Sequence, residues 1–178
     1  ARGLQRDRAC VGVHLDRLEL AHPVLALAPV VQLIGADLGE MRVPAVGVGG
    51  DQSDDSAPSS GAVYVFVRSG SDWAQQAYIK ASNTQAVDVF GEGLSLSGDT
   101  MVVSAPWEDS AGAGVNNGNE DDNSLMTSGA AYVFVRVGTS WEQRAFIKAS
   151  NAGMLDSFGT NAVVDGDTIV VSAYEEDS

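Results

Sequence analysis

The residues with chemistry to offer are carboxylates, and they are bunched. Between Trp107 and Ser128 lie Glu108, Asp109, Glu120, Asp121 and Asp122, with Asn116, Asn117, Asn119 and Asn123 among them and no basic residue. An upstream stretch, Gly50-Asp-Gln-Ser-Asp-Asp-Ser56, adds Asp51, Asp54 and Asp55. A hard cation such as calcium takes roughly six to eight oxygen ligands, which crowded carboxylates in a bent loop can supply. Asp109, Asp121 and Asp122 are therefore the candidate metal ligands, and calcium the candidate ion. The competing reading is a solvated acidic loop. Glu120-Asp121-Asp122-Asn123 has no recognised calcium spacing and no Gly, and this favours the solvated loop.

Other chemistry is scarce. Both histidines, His14 and His22, precede the acidic segments, so the rest of the chain cannot supply an imidazole base or a histidine-based triad. Cys10 is the lone cysteine, which rules out an internal disulfide framework and a cysteine-built zinc site. Gly47-Val-Gly-Gly50 is followed by no helical pattern, so it is no phosphate loop. The chain is expected not to be an enzyme. Its 24 acidic residues face 10 basic ones, a net charge of −14. That balance argues against nucleic acid and against anionic membrane surfaces, both of which want Lys and Arg. No apolar run has the length of a transmembrane segment.

The elements that must hold these carboxylates come from a repeat. Gly61-Ala-Val-Tyr-Val-Phe-Val-Arg68 returns as Gly129-Ala-Ala-Tyr-Val-Phe-Val-Arg136. Ile79-Lys-Ala-Ser-Asn83 returns as Ile147-Lys-Ala-Ser-Asn151, Phe90-Gly91 as Phe158-Gly159, and Glu108-Asp-Ser110 as Glu176-Asp-Ser178. The offset is 68 throughout, and 29 of the 50 positions from 61 to 110 are identical in the second copy. A repeat of that length marks a stacked or radial array rather than a single layered domain.

Each unit reads as four strands. Val89 to Leu96 is the first, turned by Ser97-Gly98-Asp99 into Thr100 to Ala105. The acidic connection follows, then Ala130 to Arg136, a turn at Gly138-Thr-Ser140, and Trp141 to Lys148. Ala62 to Val67 is apolar on both faces, so both faces should be buried. Trp73 to Lys80 mixes polar and apolar residues, as an outer strand does. Trp73 and Trp141, at matched positions, are expected to pack between units. Lys80 and Lys148, at strand ends, are expected to be solvated. Four-stranded sheets covered on both sides suggest propeller blades, with a sandwich as the alternative. The fold expected is all-β: antiparallel four-stranded blades of a β-propeller, present as a partial propeller. In an up-and-down blade the acidic connection and the link Ala81–Val89 leave on one face.

The repeat covers residues 46–178, with one complete blade at about 88–150 and two partial blades. Residues 1–45 carry five Arg and five acidic residues, so all of the net −14 lies beyond them, and they read as a non-repeat segment. The abrupt loss of a strong repeat there is what a piece of a longer chain, or a reading-frame change, would leave.

Phe90-Gly91, Ser97-Gly98-Asp99-Thr100, Val102-Val-Ser-Ala105-Pro106 and Gly129-Ala-Ala-Tyr-Val-Phe134 together resemble the FG-GAP repeat. Phe90, Gly91, Ala105, Pro106, Phe158 and Gly159 are the signature positions. The likeness is to bacterial members with Tyr-Ile-Lys-Ala-Ser-Asn between blades. It implies the propeller blade of integrin alpha chains, an extracellular or cell-surface setting, and a non-enzymatic binding or adhesion role. It also implies neighbouring blades in a full-length chain and a protein or carbohydrate ligand. Two alternatives stay open: an accessory propeller of a secreted enzyme whose catalytic domain lies elsewhere, and a purely structural array. Many integrin-type repeats carry a calcium loop between the first two strands. Here that connection has shrunk to Ser97–Thr100 and Asp165–Thr168, so the family's calcium site is not expected there. The ligand face implied is the acidic loop, with Glu108, Asp109, Asn119, Glu120, Asp121, Asp122 and Asn123.

Overall fold

The computed structural model describes residues 31–34 and 46–177. The expectations for the rest of residues 1–45 lie outside the described residues. Among the described residues every regular element is a strand: β1 Val31–Ile34, β2 Val63–Ser69, β3 Asp72–Ile79, β4 Leu94–Ser97, β5 Thr100–Ala105, β6 Gly114–Val115, β7 Ala130–Val137, β8 Ser140–Lys148, β9 Phe158–Asp165 and β10 Thr168–Ala173. All named strand pairs are antiparallel. β-Branched and aromatic residues fill these runs, as a pleated, packed surface favours.

The central sheet has the order β4-β5-β7-β8-β6, with β1-β2-β3 on one side and β9-β10 on the other. Its strands β4, β5, β7 and β8 span the segment expected to form one blade. Its last, outermost strand was not expected. β6 is two residues long and comes from the acidic connection, pairing Gly114 with Lys148 and Val115 with Ile147. The preceding copy does the same with a single bridge, Val48 to Ile79. β1 lies within the segment read as outside the repeats, and it pairs with β2 as β5 pairs with β7.

The central sheet is covered on both faces, as its doubly apolar strands require. Met101, Val103 and Ala105 of β5 join Tyr132, Phe134, Trp141 and Phe146 in a core shared with Val63, Val65 and Ile79 of the preceding sheet. Val102 and Ala131, on the opposite face, pack with Ala162 and Val164 of β9. Period-two alternation thus sends successive residues of one strand into two different cores.

The repeat signature is the geometry of blade stacking. Phe90 is fully buried and meets Tyr132 and Phe134 edge to face, with ring centroids 5.2 and 6.1 Å apart. The backbone of Phe90 also bridges in parallel to Gly61 of the preceding blade. A Cβ on Gly61 would lie 2.0 Å from the Phe90 carbonyl oxygen, and one on Gly129 would lie 2.0 Å from that of Phe158. Only glycine permits so close an approach. The Gly of one blade and the Phe of the next are one contact, made at both joints.

The first strand starts later than its sequence suggests. Residues 89–96 read as a strand, whereas β4 is Leu94–Ser97. Val87 and Val89 have φ of 77° and 53°, so this stretch cannot be extended. It instead runs beside the previous blade: Val87, Val89 and Phe90 donate their N–H groups to the carbonyls of Pro58, Ser59 and Ser60. Leu155 and Ser157 repeat these dihedrals at the next joint.

Candidate functional site

The acidic connection is a built loop over a buried base. At its base Glu108 and Ser128 are buried and Asp109 half-buried. Gly129 N–H donates to the Glu108 carbonyl at 2.9 Å, and Leu125 N–H to that of Asp109 at 2.9 Å. The Asp109 carboxylate accepts the Thr127 N–H at 2.6 Å. Farther out, Ala111 N–H donates to the Asp122 carbonyl at 2.7 Å, and the Asp122 carboxylate accepts Ser124 N–H at 3.0 Å. Short Asp and Asn side chains that bond their own backbone favour such turns.

The loop and the inter-blade link do share one rim. Ser82 Oγ donates to Glu120 Oε2 at 2.9 Å, and Asn83 Nδ2 to the Glu120 carbonyl at 2.7 Å. Asn119, Asp121, Asp122 and Asn123 are exposed there, and Glu120 is half-buried.

Glu108 does not belong to the exposed set. It is 1% exposed, and its carboxylate is the hub of a buried network. Lys148 Nζ donates to Glu108 Oε2 at 2.8 Å, as does Ser110 Oγ at 2.9 Å. Asn83 Nδ2 donates to Glu108 Oε1 at 2.9 Å. Tyr132 OH, fully buried, donates to Asn83 Oδ1 at 2.8 Å. Lys148 Nζ also donates to Ser128 Oγ at 2.6 Å. A buried charge without such partners would cost several kcal/mol, which is why the acid turns inward toward the lysine.

The expectation that Lys80 and Lys148 are solvated is overturned for the same reason. Both are buried. Lys80 donates to Ser60 Oγ at 2.6 Å and to the Gly61 carbonyl. Burial holds the Lys80 ammonium down to about 8, with Asp88 pulling the other way. Burial also lowers Lys148, opposed by the Glu108 charge. Asp88, buried beneath the link, accepts Gln85 N–H at 2.9 Å. Burial pushes its carboxyl up to about 7; the Gln85 bond opposes this, while the Glu108 and Asp109 charges add to it. Sequence reasoning passed over Asp88, although Asp156 repeats it 68 residues on, also buried, accepting Gly153 N–H at 2.5 Å.

The candidate metal ligands are not brought together. Asp109 and Asp122 are turned to backbone N–H groups, and Asp121 faces solvent. Among the described residues no three Asp, Glu, His or Cys side chains group so as to hold a metal ion. At the position of the family's calcium loop, Ser97 pairs with Thr100 across a two-residue turn. Asp99 there is engaged by Arg136 Nε and Nη2 at 2.8 and 2.5 Å. These residues do not fit a calcium loop, which needs carboxylates wrapped around the ion. Trp141 packs within the inter-blade core and donates Nε1–H to Gln76 Oε1 at 3.0 Å, whereas Trp73 is 43% exposed. Among the described residues no helix is long and apolar enough to cross a membrane.

A family model described as the FG-GAP repeat matches residues 73–134 and 141–178. No curated protein matches the chain.

Proposed function

The chain belongs to the FG-GAP repeat family, and on that premise we propose that it is a non-enzymatic binding module working outside the cell or at its surface. The observation that supports this is the rim loop. Its base is fixed by the buried Glu108–Lys148 pair and by Asp109, while Asn119, Asp121, Asp122 and Asn123 stand exposed. Loops held by a rigid scaffold are where recognition usually resides. An anchored, net-negative loop tip suits a partner that offers basic groups or hydroxyl donors, either a protein or a carbohydrate. Affinity for a basic protein partner would fall with rising salt, because exposed charges are screened.

The test is binding of the full chain to arrays of glycans and of immobilised extracellular proteins, compared with the Asp121→Asn/Asp122→Asn variant. Binding that the double variant loses, with its melting temperature unchanged, supports the rim reading. Binding that the variant retains places recognition elsewhere. A melting temperature raised by calcium and lowered by chelator would make the rim cation-dependent, since a ligand stabilises the state it binds.

A further inference from the structure

The network around Glu108 holds the parts of a reaction. A primary amine (Lys148), a carboxamide (Asn83) and one carboxylate that bonds both nitrogens meet at the joint between two blades. Glu108 Oε2 accepts from Lys148 Nζ at 2.8 Å, and Glu108 Oε1 from Asn83 Nδ2 at 2.9 Å. On the far side of the amide, Tyr132 OH donates to Asn83 Oδ1 at 2.8 Å. Two acceptors, Glu108 Oε1 and the Glu120 carbonyl, face one end of the amide and mark it as the NH2 group, which leaves Oδ1 to accept from the phenol. All four side chains are buried.

We propose that Lys148 and Asn83 join in an intramolecular amide cross-link that ties one blade to the next, with Glu108 moving the protons. The Glu108 carboxylate takes a proton from Lys148 Nζ. The neutral amine attacks Asn83 Cγ, and charge gathers on Oδ1, where the Tyr132 hydroxyl stabilises it. Glu108 passes that proton to Nδ2, the Cγ–Nδ2 bond breaks, and Glu108 then takes the second proton from Nζ and hands it to the departing ammonia, which leaves as ammonium. An Nζ–Cγ amide bond remains. No oxidant, metal or second substrate is required, and the carboxylate ends as it began.

The surroundings favour each step. Burial lowers Lys148, which makes the neutral nucleophile more accessible. Burial also raises Tyr132 well above its ordinary value, so its hydroxyl stays a donor. Ser128 Oγ, the other partner of Lys148 Nζ, and Ser110 Oγ, on the carboxylate, hold the amine and the base in place. Fixing the reacting groups before reaction replaces a costly encounter with an intramolecular one.

Intact mass of the folded full chain gives the test. The expected mass lies below the sequence mass by about 17 Da, the mass of ammonia. Trypsin would then leave Lys148 uncut, in a branched peptide joined to the segment that holds Asn83. Lys148→Arg and Glu108→Ala restore the sequence mass. Lys148→Met removes the amine, and combined with Glu108→Gln it leaves neither charge of the buried pair behind, so the double variant should keep a cooperative melt while also restoring the mass. Full sequence mass in folded wild type, with Lys148 in a linear peptide, overturns the proposal. So does a loss of ammonia that produces no branch, or that survives in Lys148→Met, since imide formation at Asn83 alone would give it.

Discussion

The two joints between blades use the same residues and end in different environments. At the first, Asn83 reaches Glu108 inside a buried network completed by Tyr132 and Lys148. At the second, Asn151 reaches Glu176 with the same pair of atoms at 3.2 Å, and both residues are exposed. The tryptophans divide in the same way: Trp141 is 3% exposed and Trp73 43%, though Arg136 and Arg68 stack over them at nearly equal distances, 5.8 and 5.9 Å. A repeat motif therefore specifies a contact, and the neighbouring strands decide whether that contact is dry. The equivalent carboxylate is the hub of a core where β7 and β8 follow it, and is exposed where, among the described residues, no further strand follows.

This difference should appear as unequal mutational costs at equivalent positions. The largest is expected for the aromatic at the joint. Phe90→Ala should lower unfolding stability in urea by about 3–5 kcal/mol, for lost burial plus the cavity. Phe158→Ala, at a half-buried site, should cost about 1–2 kcal/mol. Equal costs would break the comparison. Next comes the ionic hub. Glu108→Gln, which also blocks the proposed cross-link, leaves an unlinked Lys148 ammonium buried without its counter-ion and should cost at least about 3 kcal/mol, the low end for breaking a buried pair. Glu176→Gln, exposed, should stay within about 0.5 kcal/mol.

The pH dependence gives a third, smaller effect. Asp88 has its folded value raised to about 7, above the ordinary 3.8. Between these values the folded state binds more protons than the unfolded state, so stability falls as pH rises from about 4 to 7 and then levels. Asp88→Asn removes the ionisation while keeping an acceptor for Gln85 N–H. Its melting temperature should exceed that of wild type at pH 8, and the gap should close by pH 4. A constant gap across that range would contradict the assignment. The smallest effect is expected at the two-residue turn. Asp99→Asn weakens the pair with Arg136, but Asp99 is exposed, so thermal melts should detect a loss of less than about 1 kcal/mol, fading with salt.

Much of this architecture was legible in the residues. The 68-residue repeat, the doubly apolar strands and the hairpin at Ser97–Thr100 led directly to stacked antiparallel blades. The shared rim followed from strand direction alone. The misreadings have physical causes. Val87 and Val89 are β-branched residues that favour strands, yet both take positive φ because hydrogen bonds to the previous blade hold them there. β6 has two residues in a Gly- and Asn-rich stretch, too few to show alternation. Lys148 was read as solvated because an isolated lysine at a strand end usually is, and Glu108 because it opens an acidic run. The missed signal was joint recurrence. Lysine at 80 and 148, asparagine at 83 and 151, aspartate at 88 and 156 and glutamate at 108 and 176 persist while the exposed loop residues change. At positions 80, 83, 88 and 108 the recurring polar groups have partners in the interior, whereas the recurring Asp99 and Asp167 are exposed turn residues.

Amide hydrogen exchange followed by mass spectrometry tests most directly whether neighbours, rather than sequence, set the character of each copy. β5 and β10 share Val-Val-Ser-Ala, but β5 is hydrogen-bonded between β4 and β7, whereas β10 pairs with β9 alone among the described residues. Amides of residues 101–105 should exchange only through global unfolding, and those of residues 169–173 much faster, through local opening. Equal protection of the two strands would contradict the account.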